Sequence, residues 1–219
     1  MDQPFYNVIR NHPLCAEDIH IWEFETPEPI LTPNPKTDDL HLSQFSKRFS
    51  FQKPCQDLRR EIIAGYLNRD PTEIDIKYEK SGKPVLENNP VPVFFSTSYT
   101  KGAWILGLSR GFALGIDIEY IKNDSRLLTI AERFFYPEEW GFIRSLPEEE
   151  QMKAFFQVWT LKEAYLKAIG TGFPGWHILP EMAYIITNSP VANTVFPLLP
   201  TPYKARILMS DGTCQALVF

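Results

Sequence analysis

The chain has 219 residues, of which 44% are hydrophobic, so it can bury a substantial core. Its net charge of −5 provides no broad basic surface, which argues against nucleic acid or an anionic membrane as the main partner. No apolar run reaches the roughly 20 residues that a membrane helix needs, and the start, MDQPFYNVIRNHPLC, lacks the charged and apolar regions of a signal peptide, so we predict a cytoplasmic protein.

The first half of the chain is predicted to consist of strands around one helix. A proline-rich stretch at residues 26–36 predicts a surface loop, and residues 57–67 repeat apolar side chains at the spacing of an amphipathic helix. Alternating or β-branched runs predict strands at residues 5–9, 19–24, 74–78, 93–97, 103–109 and 112–119.

The second half is predicted to be helical first and stranded afterwards. Helical patterns cover residues 126–135, a segment that starts at Pro137, and a long stretch at residues 147–169. Closing strands are predicted at residues 183–187, 203–209 and 214–219. This order indicates an α+β fold of two halves, residues 1–110 and 111–219, which meet near residues 108–114.

Cysteine and histidine supply no obvious reactive group. The cysteines have no CxxC spacing and are predicted to be free thiols; they are Cys15, Cys55 and Cys214. The histidines all lie outside residues 42–176, where the motifs below occur; they are His12, His20, His41 and His177. Zinc enzymes and serine hydrolases therefore lose support.

An acidic pair lies on a predicted strand, GIDIE at residues 115–119. A period of two places Ile116 and Ile118 on one face and the carboxylates of Asp117 and Glu119 on the other, where both can reach one cation. Two carboxylates with water and phosphate oxygens are a usual way to hold Mg²⁺. An amphipathic strand with a solvated acidic face has the same pattern, so the motif alone leaves both open.

The long helix carries a second charged pair, within WTLKEAYLK at residues 159–167. Glu163 and Lys167 are four residues apart and therefore share one face of the helix. They could belong to a site or form an ordinary surface ion pair, which is worth roughly a few tenths of a kcal/mol.

Two segments of the first half offer hydrogen-bond donors to a phosphate group. KSGKP at residues 80–84 is a turn with two lysines, and FFSTSYTK at residues 94–101 ends a strand in hydroxyl groups. Solvated turn lysines and a polar strand end are the commoner explanations. GTGFPG at residues 170–175 fits GxGxxG, but it follows a helix and contains a proline, so it predicts a helix-terminating loop beginning at Gly170.

In this order the motifs resemble the 4′-phosphopantetheinyl transferase superfamily, specifically its larger, single-chain Sfp type. The resemblance covers roughly residues 46–173 and includes RFF with a following acidic residue at residues 133–138. It implies a pseudo-twofold α+β fold with coenzyme A between the halves. The implied reaction moves the 4′-phosphopantetheine group of coenzyme A to a serine of an acyl or peptidyl carrier protein and releases 3′,5′-ADP.

The resemblance also implies roles for individual residues. Asp117, Glu119 and Glu163 would be the ligands of Mg²⁺, and we interpret Glu163 as the base that takes the serine proton. Lys167 would contact the phosphate under attack. The coenzyme A contacts would be Lys83, Pro84, Ser98, Tyr99 and Lys167. Because both halves lie in one chain, a monomer is expected.

The sequence departs from the family pattern in its first half. Residues 95–100 read FSTSYT where the family has FNxSHS, so Tyr99 replaces a histidine and brings no positive charge. An arginine–threonine pair of the upstream helix is replaced by Cys55 and Gln56. The residues that could compensate are Lys53, Arg59 and Arg60. These changes affect coenzyme A binding more than the chemical step.

Two other functions remain open at this stage. A non-catalytic family member would bind coenzyme A or a carrier without transfer, and a magnesium-dependent phosphohydrolase would use the same carboxylates on a nucleotide. For the transferase, family analogy places the carrier along the second half, near the helices that contain Phe135, Trp140 and Ile143. The basic residues expected around it are Arg126, Arg133, Arg144 and Lys153.

Overall fold

The structure is a computed structural model that describes residues 14–16, 18–25, 52–187, 195–198, 201–210 and 212–219. The strand predicted at residues 5–9, the loop predicted at residues 26–36 and the side chain of Lys53 lie outside this description. Helices and antiparallel sheets occur in both halves, which confirms the α+β class. In the described parts of the chain, no helix combines the length and apolar character needed to cross a membrane.

One helix packs on an antiparallel sheet in the first half. The elements are β1 (Ile19–Glu25), α1 (Gln52–Leu67), β2 (Ile76–Tyr78), β3 (Pro84–Leu86), β4 (Val93–Thr100) and β5 (Ala103–Arg110). Strands β1, β5 and β4 form one sheet in that order, while β2 and β3 form a separate hairpin. Ile62 and Ile63 of α1 share a buried apolar cluster with Phe95 of β4, so α1 covers one face of the sheet.

A long helix and a second antiparallel sheet form the second half. The elements are β6 (Gly115–Tyr120), α2 (Arg126–Phe134), α3 (Pro137–Ser145), α4 (Glu148–Ile169), α5 (Ala183–Thr187), β7 (Val195–Pro197), β8 (Lys204–Ser210) and β9 (Thr213–Val218). The sheet order is β6-β9-β8-β7, and α4 packs against it. Helix α4 ends at Gly170, whose φ of 74° is left-handed and whose N–H donates to the Leu166 carbonyl, as predicted.

Hydroxyl side chains of β4 join the two halves. The Ser96 hydroxyl accepts the Ile116 N–H at 3.1 Å, and the Thr100 hydroxyl accepts the Tyr120 N–H at 2.9 Å. Both partners lie on β6, which belongs to the other sheet. A buried apolar cluster with residues from both halves lies at their interface, which we call the joint. It contains Ile105, Leu114, Ile116, Ile118 and Leu217. Strand β4 thus faces α1 on one side and β6 on the other.

Most predicted elements are present with ends shifted by a few residues, but the strand predicted at residues 183–187 is wrong. This segment is α5, in which the N–H groups of Ile185 and Ile186 both point to the Met182 carbonyl, at 3.0 and 3.4 Å. Its β-branched residues suggested a strand, yet Ile185 and Ile186 are buried consecutively rather than alternately. The sequence also missed β3 and β7, which have three residues each. The division at residues 110 and 111 stays a prediction.

Candidate active site

Strand β6 and helix α4 are in direct backbone contact at Gly115. A Cβ atom at this position would lie 1.9 Å from the Ala164 carbonyl oxygen and 2.4 Å from the Ala168 nitrogen. Only glycine therefore permits this approach. The contact brings the acidic residues of β6 beside the charged residues of α4, as the family resemblance implied.

Lys167 of α4 forms an ion pair with Asp117 of β6. Its ammonium Nζ lies 2.6 Å from Asp117 Oδ1 and donates also to the Ile116 carbonyl at 3.2 Å. Although burial lowers the pKa of Lys167, the negative charges of Asp117 and Glu163 raise it above its usual value, so the group is an ammonium ion. Because Asp117 is only 3% exposed, the alternatives of a solvated acidic face and a surface ion pair do not describe this site.

The two oxygens of Asp117 have different surroundings. Oδ1 accepts from Lys167 and also from the Ser98 hydroxyl, which lies 2.7 Å away on β4. Oδ2 is buried and has no hydrogen-bond partner within the described residues. A buried carboxylate oxygen without a partner is costly, so it marks a position where a ligand is expected.

Two more carboxylates face the same region. Trp159 Nε1 donates to Glu119 Oε1 at 3.3 Å, and burial, with the charge of Asp117 second, raises the pKa of Glu119 to about 8. Burial, again followed by the charge of Asp117, raises the pKa of Glu163 to about 7. Burial and mutual repulsion therefore disfavour three negative charges at this site unless a cation compensates them.

The chemistry of these residues fits a hard divalent cation. The candidate ligand atoms are all carboxylate oxygens, the type that Mg²⁺ prefers, and Asp117 Oδ2 lacks a partner among the residues that the structure describes. As the side chains are placed, the described part of the chain contains no group of three His, Cys, Asp or Glu residues that could hold a metal ion. Coordination of one cation by all three carboxylates therefore stays a prediction.

Lys83 reaches from the first half to the end of α4. Its Nζ donates to the Ala168 carbonyl at 2.8 Å, next to Lys167 in the chain, and burial lowers its pKa. A lysine ammonium has three donors, so this bond leaves two for another partner. Pro84 directly follows and begins β3. The assignment of both residues to coenzyme A stays a prediction.

The structure does not bring the side chains of Ser98 and Tyr99 together. They are neighbours on a strand and therefore point to opposite faces. Ser98 faces β6, whereas Tyr99 shares the α1 side with Phe95 and is 42% exposed. On that side, the Arg59 guanidinium lies over the Phe95 ring, with 5.3 Å from its Cζ to the ring centroid.

Arg59 and Arg60, the compensating cations that the sequence suggested, have partners in the first half. Arg59 Nη2 donates to the Tyr78 hydroxyl at 3.2 Å, and Arg60 Nε donates to the Ile74 carbonyl at 3.2 Å. Arg59 is buried, and its Nε has no partner within the described residues. Both arginines thus link α1 to the segment around β2.

Two of the residues that mark the predicted carrier-docking helices lie in the core. Phe135 is buried and stacks on Phe155 with 5.3 Å between ring centroids, and Ile143 is fully buried. Other side chains of these helices would form the docking surface, and its location stays a prediction. Arg126 forms an ion pair with Asp124 at 2.8 Å. The other suggested cations are exposed; they are Arg133, Arg144 and Lys153.

The fold and the site together define the class of protein. Carboxylates and a lysine meet at the joint of two α+β halves, and a second lysine approaches from the first half. Such a set can bind and stabilise a charged phosphate group during its transfer. The arrangement is that of an enzyme acting on a phosphate-containing substrate.

Comparison with known proteins identifies the family. Residues 113–213 match the model of the 4′-phosphopantetheinyl transferase superfamily. The 4′-phosphopantetheinyl transferase HetI of Nostoc sp. is 32% identical over 223 aligned residues, which cover 95% of this chain and 90% of that protein. The chain therefore belongs to the 4′-phosphopantetheinyl transferase superfamily, as the motifs predicted.

Two further relatives cover less of the chain. The putative 4′-phosphopantetheinyl transferase slr0495 of Synechocystis sp. is 33% identical over 164 residues, 71% of this chain and 66% of its own length. The 4′-phosphopantetheinyl transferase Sfp of Bacillus subtilis is 31% identical over 115 residues, 52% of this chain and 50% of its own length. The similarity to Sfp supports the Sfp-like type.

Proposed function

We propose that the protein transfers the 4′-phosphopantetheine group of coenzyme A to a serine hydroxyl of an acyl or peptidyl carrier protein. Family membership supports this reaction. The observation that carries it for this chain is the buried Asp117, which is bound to Lys167 through one oxygen and has no partner among the described residues at the other. Carboxylates at the joint can bind the counter-ion of a diphosphate, and the adjacent Lys167 ammonium can bind the diphosphate itself.

Asp117, Glu119 and Glu163 would hold Mg²⁺, and Mg²⁺ supplies positive charge to the diphosphate. Lys167 has its ammonium at the same place and contacts the phosphate under attack. The serine Oγ forms a bond to the β-phosphorus of coenzyme A, and the phosphoanhydride bond to the leaving oxygen breaks. The electron pair leaves with 3′,5′-ADP, whose new charge Lys167 neutralises or protonates.

Glu163 takes the proton of the serine hydroxyl. It lies on α4 one turn before Lys167, is half-buried, and makes no hydrogen bond within the described residues. The other two carboxylates are engaged, because Asp117 contacts Lys167 and Glu119 accepts from Trp159. Of the histidines that the structure describes, His20 contacts the Tyr66 hydroxyl in the first half and His177 is exposed.

Coenzyme A binds from the side of Lys83 and Pro84, since the Lys83 ammonium makes one hydrogen bond within the described residues and has further donors for a phosphate near the end of α4. Tyr99 contributes a hydroxyl from its exposed position on β4. The reaction takes place in the cytoplasm, where the free thiols of this chain persist. The active form is a monomer, because both halves of the joint come from one chain.

Intact-mass analysis of an apo carrier protein, incubated with this protein, Mg²⁺ and coenzyme A, tests the proposal. We expect a gain of about 340 Da, the mass of the covalently added arm. Asp117→Ala and Glu163→Gln should both abolish the gain within the same time. Near-normal turnover of Glu163→Gln at saturating Mg²⁺ would rule out the base assignment.

Two other results would point to the alternatives. Binding of coenzyme A without a mass gain on several carriers would favour a non-catalytic member. Steady release of a nucleotide from coenzyme A without any carrier would favour a phosphohydrolase.

A further inference from the structure

We propose that Ser98 is a positioning residue, which fixes the orientation of the Asp117 carboxylate so that Oδ2 faces the cation. The inference rests on the proposed metal-binding role of Asp117. It assigns to the first half of the chain a direct part in shaping a site whose carboxylates all lie in the second half.

The contacts of Asp117 carry the inference. Ser98 Oγ lies 2.7 Å from Oδ1, and Lys167 Nζ lies 2.6 Å from the same atom. Both donors act on one oxygen, so the other keeps its lone pairs for a different ligand. A carboxylate rotates about a broad, roughly two-fold torsion, and donors fixed on one oxygen select one orientation.

Ser98 is well suited to hold this orientation. Its side chain is only 7% exposed, and it extends from β4, which is hydrogen-bonded to β5 along its length. Lys167 has a long side chain and is expected to leave Oδ1 for the substrate phosphate during the reaction. The serine donor would then be the contact that keeps Asp117 in place.

Two neighbouring hydroxyls show that this contact differs from the rest of the joint. Ser96 and Thr100 lie on the same face of β4, two residues before and after Ser98. Each accepts a backbone N–H of β6, whereas Ser98 donates to a side chain. Ser96 is buried like Ser98, so it serves as a matched control for loss of a joint hydrogen bond.

The contact adds a role to the one expected from the sequence. A serine hydroxyl has one proton to donate, and here that proton goes to Asp117. Ser98 thus acts on the proposed metal ligand, while the contact with coenzyme A that the family resemblance implies stays a prediction.

Binding of Mn²⁺ to the full chain, without coenzyme A or carrier, tests the inference by electron paramagnetic resonance. We expect Ser98→Ala to weaken Mn²⁺ binding about tenfold, as is typical when a partner of a metal ligand is lost. Ser96→Ala should bind Mn²⁺ like the wild type, and Ser98→Thr, which keeps the hydroxyl, should restore most of the affinity.

Steady-state kinetics provide a second readout. In Ser98→Ala the KM for Mg²⁺ should rise about tenfold while kcat at saturating Mg²⁺ stays within about twofold. Equal Mn²⁺ affinities of Ser98→Ala and Ser96→Ala would overturn the inference. If Ser98→Ala does not fold, Ser98→Cys, of similar size and with a weaker donor, allows the same comparison.

Asp117→Asn separates failure of the inference from failure of the proposed function. If this variant loses Mn²⁺ binding but Ser98→Ala does not, the metal role of Asp117 holds and the role of Ser98 is refuted. If Asp117→Asn binds Mn²⁺ as the wild type does, both are refuted.

Discussion

At the scale of single residues, the two lysines of the WTLKEAYLK segment have separate tasks. Lys167 serves the acidic site, whereas Lys162 is 1% exposed and pairs with the fully buried Glu139 at 2.9 Å. Glu139 also accepts the N–H groups of Tyr136 and Met182. The pair thus ties α4 to α3 and to the segment before α5.

Removing Lys162 alone should be strongly destabilising. Lys162→Met leaves the Glu139 carboxylate buried without its counter-ion, which costs about 3–5 kcal/mol in the free energy of unfolding. The double variant Lys162→Met with Glu139→Gln removes both charges and should recover much of that loss. Urea unfolding measures both, and a single variant as stable as the wild type would contradict the prediction.

The three cysteine thiols, none of them in a disulfide, should differ in reactivity. Cys214 is buried, and burial raises the pKa of its thiol to about 12, so at pH 8 only about one molecule in ten thousand carries the thiolate. Cys15 is exposed and Cys55 is partly exposed. Labelling with a thiol reagent at pH 8 should therefore modify Cys15 first and Cys214 only after unfolding. Fast labelling of native Cys214 would show that β9 opens readily.

The sequence identified the charged residues of the site but not their partners. Periodicity placed Asp117 on one face of a strand and Glu163 on one face of a helix, and the resemblance to the family selected them as site residues. The Ser98 contact and the Lys162 pair join residues 19 and 23 positions apart, on different elements. Such contacts depend on how the elements pack, which local periodicity does not encode.

At the scale of elements, the approach of β6 to α4 depends on Gly115. Gly115→Ala would place a methyl group against the backbone at Ala164 and Ala168, which cannot yield as a flexible side chain could. The strand must then move away from the helix, with a loss of stability of about 1–3 kcal/mol or more. Transferase activity should fall as well, because Asp117 moves relative to Lys167.

Gly141→Ala is the matched control for this substitution. Gly141 lies within α3, and a Cβ atom there would meet nothing within 4 Å. Alanine is favoured over glycine inside a helix by about 0.5–1 kcal/mol, so this variant should melt slightly higher than the wild type. Equal melting temperatures for Gly115→Ala and the wild type would refute the close-packing argument.

The elements show where sequence periodicity succeeds and where it fails. The long α4 and the paired strands β4 and β5 were predictable because each repeats its pattern over several turns or residues. For strand β6 the pattern left a solvated acidic face and a cation site both open, and Asp117 is buried because β6 is covered by both α4 and β4. Elements of three to five residues, such as β3, β7 and α5, are too short to show a period.

At the scale of the whole molecule, several contacts tie the two halves together. Gln215 of β9 donates to the carboxylate of Glu23 on β1 at 3.2 Å, and Lys83 caps the end of α4. The meeting of two halves was predictable from the order of elements. The hydroxyl contacts of β4 were not, because a run of serine and threonine in a strand equally fits a solvated edge.

We expect the two halves to unfold together. The cluster at the joint draws Ile105 from the first half and Ile116 from the second, so either half alone would expose apolar surface that is now buried. Differential scanning calorimetry should show one transition with equal calorimetric and van't Hoff enthalpies.

Ile105→Ala distinguishes one cooperative unit from two separate domains. Ile105 is fully buried, and its truncation should cost about 2–5 kcal/mol. In a single unit, fluorescence of Trp104 in the first half and of Trp159 in the second should report the same lowered melting temperature. The fluorescence measurement needs variants in which either Trp104 or Trp159 is kept and the other tryptophans are replaced by phenylalanine.

Ile207→Ala is the control for this experiment. Ile207 is buried in the core of the second half, and its truncation should lower the melting temperature reported by both tryptophans as well. If Ile105→Ala lowers the Trp104 transition and leaves that of Trp159 unchanged, the halves are independent domains and the joint contributes little to folding.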